Sequence, residues 1–176
     1  MVDQTQTQTP AQGENLDVIE LHLNSGSYSN TFRHEVLYSI KRNKYVKGHA
    51  HKGMSWGVDY RILPGVYVIF SAGGYKDLRG FDLSIEKVRI YKDEKGDKRI
   101  ERIETICEVD KLTKEDVEQM VQDPRAPESL KLFLDCIPWS YHTVGCVPDP
   151  NKTFSPDEIQ KVCQYLKAKM IETAED

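Results

Sequence analysis

Seven lysines and arginines fall within residues 28–62 (Arg33, Lys41, Arg42, Lys44, Lys47, Lys52 and Arg61), against two carboxylates. Aromatic residues interleave with them: Tyr28, Phe32, Tyr38, Tyr45, Trp56 and Tyr60. Phosphates need cations, and each phosphate neutralised releases condensed counterions. Unpaired bases need flat apolar faces, and stacking on an aromatic ring is worth roughly 1–3 kcal/mol per base. A basic, aromatic strip serves both needs for a single strand. Reading a duplex by sequence calls instead for a helix or ribbon in the major groove. The strip therefore predicts contact with single-stranded DNA or RNA. The seven cations would track phosphates, Tyr45, Trp56 and Tyr60 would stack bases, and His49 and His51 would lie among the phosphates. The competing reading is structural: aromatic residues at alternating strand positions form core, and the cations beside them form a solvated face.

Other groupings carry less chemistry. In Gly-His-Ala-His-Lys-Gly (48–53), an extended backbone puts His49 and His51 on one side, where both can reach one metal ion. Two ligands do not make a site, and no carboxylate stands close in sequence, so no metal is expected there. Cys136, His142, Cys146 and Cys163 add up to four zinc ligands, but their spacing fits no standard zinc pattern. A Cys136–Cys146 disulfide and a nucleophilic Cys146 oriented by His142 are further arrangements. The glycines of SAGGYKDLRG (71–80) suggest a phosphate loop, yet the lysine lacks a GK[ST] context and no helical pattern opens after them. No cofactor motif occurs, and no carboxylate pair is placed to act as acid and base. A non-enzymatic protein without a cofactor is expected.

These residues must be positioned by a recognisable series of elements. LDVIELHL (16–23) alternates, with Ile19, Leu21 and Leu23 on one face, and predicts a strand. In 31–43, Phe32, Val36 and Ile40 recur every four positions, and the stretch reads as a helix capped by Ser29 or Asn30. Residues 44–53 follow as a loop or strand edge. Trp56, Val58, Tyr60 and Ile62 alternate with Gly57, Asp59 and Arg61, predicting a strand. Further strands are predicted at 66–72, 84–92 and 98–109, the last two as a hairpin. Helices follow: one from Thr113, which pairs with Asp116 as a capping box, one from Pro127, and one at Ser155-Pro156-Asp157-Glu158, where Ser155 caps, Pro156 takes the first position and Glu158 the third, as in a capping box. Strands first and helices later predict an α+β domain over 16–176. Its antiparallel sheet would have four to five strands, covered on one face by helices, with a C-terminal helix. Residues 1–15, with their QTQTQT run, read as a disordered tail.

The 176-residue length suits one domain, and a hydrophobic content of 39% supports one core. No apolar run reaches the roughly 20 residues of a membrane helix, and residues 1–15 resemble no signal peptide, so a cytoplasmic protein is expected. In that compartment four cysteines without a CxxC pair read as reduced thiols. The charged fraction of 30% also suits a thermophile, in which intracellular disulfides persist. The net charge of −4 conceals a polarity. Residues 103–176 carry eight cations against fifteen acids, the reverse of the basic strip. Such asymmetry points to a polyanionic partner. The alternative is a protein-interaction or assembly module, homodimeric through the last helix, with no nucleic-acid role.

Overall fold

The computed structural model describes residues 17–52 and 56–175; the segment predicted as a tail lies outside them. Among the described residues eight strands form in chain order: β1 (Ile19–Ser27), β2 (Thr31–Ser39), β3 (Lys44–Tyr45), β4 (His49–His51), β5 (Gly57–Ile62), β6 (Gly65–Tyr75), β7 (Phe81–Lys92) and β8 (Lys98–Leu112). Three helices follow, α1 (Lys114–Gln122), α2 (Glu128–Asp135) and α3 (Glu158–Glu175). The strand order is β4-β5-β1-β2-β6-β7-β8, with β3 bonded to β2, and every pairing is antiparallel. The chain is an α+β protein whose sheet is larger than the four to five strands predicted.

Strand β1 explains the layering, because it changes partner along its length. Ile19–Asn24 pair with β5, whereas Ser25–Ser27 pair with β2. The β4-β5-β1 portion thereby packs across one face of β2-β6-β7. Ile19, Leu21, Leu23, Val58, Tyr60 and Ile62 meet Leu37, Ile69, Val88 and Ile90 in one buried cluster. On the other face, Phe32, Val36, Tyr38, Phe70, Leu83 and Ile85 share a second cluster with Val117, Met120, Leu130, Phe133 and Leu166 from the helices. The apolar side of α3 is thus occupied within the chain, through Val162, Cys163 and Leu166. No helix among the described residues is long and apolar enough to cross a membrane.

Four expectations need correction. Residues 31–39 form β2, not a helix. The four-residue recurrence of Phe32 and Val36 also places them on the same side of a strand, and Leu37 fills the opposite face. A central strand buried on both faces shows no clean alternation, so it reads ambiguously. Second, Glu158 does not close a capping box on α3. Its carboxylate accepts a hydrogen bond from the Ser129 backbone N–H of α2 at 3.0 Å, tying two helices together. Third, the strand predicted at 66–72 continues to Tyr75 as β6. Fourth, the cysteines are not all reduced. Cys136 and Cys146 are joined in a disulfide, and Cys107 and Cys163 are free and buried. With Cys146 bonded, neither the zinc quartet nor the cysteine nucleophile is assembled. Elsewhere the local chemistry is as read: Thr113 and Asp116 form the capping box of α1.

Candidate functional site

At the end of the sheet where β2 finishes and β6 begins, β2 turns into β3 and β5 turns into β6. The β2–β3 turn presents Lys41 and Arg42; it is closed by the Arg42 N–H donating to Ser39 Oγ at 3.1 Å and by Asn43 in the left-handed region (φ 54°). Strand β3 and the segment after it bring Lys44 and Lys47. The end of β5 brings Arg61. These five cations line a cleft of about 490 Å³ with Tyr67 and Leu63, and no carboxylate is in its wall. Arg61 has an exposed partner in Glu20 at 3.4 Å, a contact of little energetic weight. Lys41, Arg42, Lys44 and Lys47 form no ion pair with an acid among the described residues.

The rings of Tyr45 and Tyr60, predicted beside these cations, are covered rather than open to a ligand. Tyr45 is fully buried, and its hydroxyl donates to the Ser129 carbonyl at 2.6 Å. Tyr60 is buried too, its hydroxyl oxygen accepting the Leu37 N–H at 3.2 Å. Burial pushes both phenols above their ordinary pKa. Neither ring is able to stack on a base. Both point inward because strand alternation sends each cation out and the neighbouring ring in. Tyr67 is the partly exposed ring of the cleft wall, held by its hydroxyl donating to the Leu63 carbonyl at 2.7 Å.

Trp56 is partly exposed but belongs to the opposite end of β5. Gly57 is paired with Asn24 and Ile62 with Ile19, so Trp56 and Arg61 are separated by about 17 Å of strand. Around Trp56 a separate ring cluster forms: Tyr28 stacks on it at 5.9 Å, His142 meets it edge-on at 5.6 Å, and Lys52 lies 5.5 Å from its centroid. Arg33, near the Thr31 end of β2, pairs with Glu35 at 3.5 Å. The predicted strip is therefore divided. Lys41, Arg42, Lys44, Lys47 and Arg61 come together, while Arg33, Lys52 and Trp56 do not join them.

A second cleft, of about 660 Å³, shares Lys47 and Arg61 with the first and contains His22, His49 and Asp59. The Asp59 carboxylate stands between two imidazoles: Oδ1 is 2.8 Å from His22 Nδ1, and Oδ2 is 2.8 Å from His51 Nε2. The hydrogen bond with His22, and the nearby His51, hold the Asp59 carboxyl below its usual pKa. His51 thus has different company from that expected. It meets His22 and Asp59, and His49 stands outside that group.

No family model matches the sequence. The uncharacterized protein ORF157 of Acidianus filamentous virus 1 (isolate United States/Yellowstone) is 28% identical over 159 residues, spanning 88% of this chain and 96% of its own length. The fold is similar to solved structures of ORF157 variants from that virus. One superposes with a TM-score of 0.72 at 23% identity, covering 86% of this chain and 99% of the other. An engineered protein is similar at a TM-score of 0.70 and 21% identity, covering 88% and 99%. These likenesses establish the fold.

Sequence reasoning missed Tyr67, His22 and Asp59 as neighbours of the cations. For the last two the signal was present: with Ile19, Leu21 and Leu23 inward, His22 points outward, as does Asp59 in β5. Only their juxtaposition required the register, in which His22 and Asp59 face each other directly.

Proposed function

We propose that the chain binds the sugar-phosphate backbone of nucleic acid, preferring single strands, through the cleft lined by Lys41, Arg42, Lys44, Lys47 and Arg61. The observation that carries this reading is the wall of that cleft, where five cations converge without a carboxylate. Cations confined in a concave surface with apolar flanks raise the local potential and favour a polyanion over scattered monovalent ions. Tyr67 and the half-exposed Leu63 supply apolar surface for a sugar or base. The preference for single strands rests on the absence of any helix at this cleft to enter a major groove.

The test is fluorescence anisotropy with labelled single-stranded and duplex oligonucleotides of equal length. Lys44→Glu combined with Lys47→Glu is expected to weaken single-strand binding by roughly 100-fold or more, since two cations become two repelling acids. Trp56→Ala, at the far end of β5, is expected to leave affinity within about twofold. Equal affinity of wild type and the double variant would refute the cleft as the contact surface. Tighter binding of duplex than of single strand would refute the preference.

A further inference from the structure

We propose that His22, His51 and Asp59 form a binding site for a divalent first-row transition-metal ion of the zinc class, joining β1, β4 and β5 on the outer side of their layer. The donor atoms of these three residues all lie within 4.8 Å of one another. Ligands about 2.0–2.1 Å from a tetrahedral zinc are about 3.3 Å apart, so side-chain rotations of ångström size bring the set onto one ion. Each residue comes from a different strand, and the ladder fixes all three. His22 is directly opposite Asp59, and His51 is opposite Gly57, two residues before Asp59.

Two features distinguish this group from an ordinary surface ion pair. His51 Nε2 is a buried atom whose contact is the Asp59 carboxylate, with Oδ2 2.8 Å away, and it reaches no hydrogen-bond partner beyond that carboxylate. The second feature is Gly57. A Cβ there would stand 2.1 Å from the Leu23 carbonyl oxygen, 2.6 Å from His22 Cε1 and 2.7 Å from Nε2, so the bare backbone admits both the close approach of β1 and the imidazole above it. Two imidazoles and a carboxylate suit zinc, cobalt or nickel and disfavour calcium and magnesium, which prefer oxygen donors throughout. Three protein ligands leave coordination open for water or an anion. Two of the three ligands, His22 and Asp59, also line the cleft that contains Lys47 and Arg61. The site is independent of the polyanion reading, because its ligand is the ion itself.

The experiment is titration of the full, untagged chain with Co(II) and Zn(II), followed by visible absorption and calorimetry. A single ion is expected to bind, with a spectrum of nitrogen and oxygen ligation and no thiolate charge-transfer band. His22→Ala, His51→Ala and the shape-conserving Asp59→Asn are each expected to weaken binding by roughly tenfold or more. Unchanged far-ultraviolet circular dichroism will confirm that these outward-facing substitutions leave the strands in place. Magnesium is expected not to compete. No binding by the folded wild type, affinity unchanged in the three variants, or a thiolate band assigning the ion to Cys107 and Cys163 would each overturn the proposal.

Discussion

His34 is ionisable in the physiological range, yet its side chain is sealed from water on β2. Its Nδ1 is 2.8 Å from Ser25 Oγ, which accepts the Gly145 N–H at 2.8 Å, and its ring stacks on Phe133. Burial lowers the pKa from 6.5 to about 4, against an opposing backbone hydrogen bond at Cys146. Between those values the unfolded chain binds more protons than the folded one. Stability therefore rises as pH increases through this window, by about 3 kcal/mol, and is lost as pH falls through it. Denaturant midpoints measured from pH 4 to pH 7 should show this slope, and His34→Gln should flatten it whatever its effect at neutral pH. A variant slope equal to that of wild type would exclude His34 as the origin. The carboxylates held low, including Asp59 and Asp123, act mainly below this window. Nothing in the sequence distinguishes His34 from exposed His49. An imidazole is compatible with either side of a strand, and packing decides which it takes.

At the scale of elements, the loop between α2 and α3 is fastened by Cys136–Cys146, which closes ten residues. Loop-closure entropy predicts a stabilisation of about 2–3 kcal/mol. A Cys136→Ala, Cys146→Ala variant should unfold at correspondingly lower denaturant. Cys107 and Cys163 link β8 to α3 differently: their sulfurs are 2.7 Å apart, and the shared hydrogen bond and burial hold the Cys107 thiol above its ordinary range. A thiol reagent should accordingly count none rapidly in the native chain, two in denaturant and four after reduction. Two reactive thiols in the native state would contradict the burial of this pair. The sequence reading of elements succeeded where one side of the chain is wet, as in β5. It failed at β2, because a strand buried on both faces loses the alternation that identifies strands. It also left the cysteines open, since pairing is a property of approach in space.

For the whole molecule, the layers are sorted by element and the cations by the end of the sheet. The acid-rich helices pack on one face of the central strands, and β1 and β5 pack on the other. The cation cleft lies at one end of the sheet and the Trp56 ring cluster at the other. On a single strand each neutralised phosphate contributes about −0.7 to the slope of log affinity against log salt, so five cations predict a slope of about −3 to −4. Replacing Lys44 and Lys47 with alanine should reduce its magnitude by about 1.4. Affinity insensitive to salt would remove the electrostatic premise. Trp56 fluorescence should change little on binding, because the ring stands about 17 Å of strand from Arg61.

By itself the sequence determined the α+β class, most strands, the helix starts at Thr113 and Pro127, and the concentration of cations in 28–62. These follow from local periodicity, capping chemistry and composition, each readable within a few residues. The tertiary structure decided which rings are covered, which cations converge, which cysteines bond, and that His22 meets Asp59 and His51. Those outcomes depend on strand register and on the change of partner along β1, which bring together residues tens of positions apart. A linear pattern records which side of its own strand a residue takes, but not which other strand lies beside it.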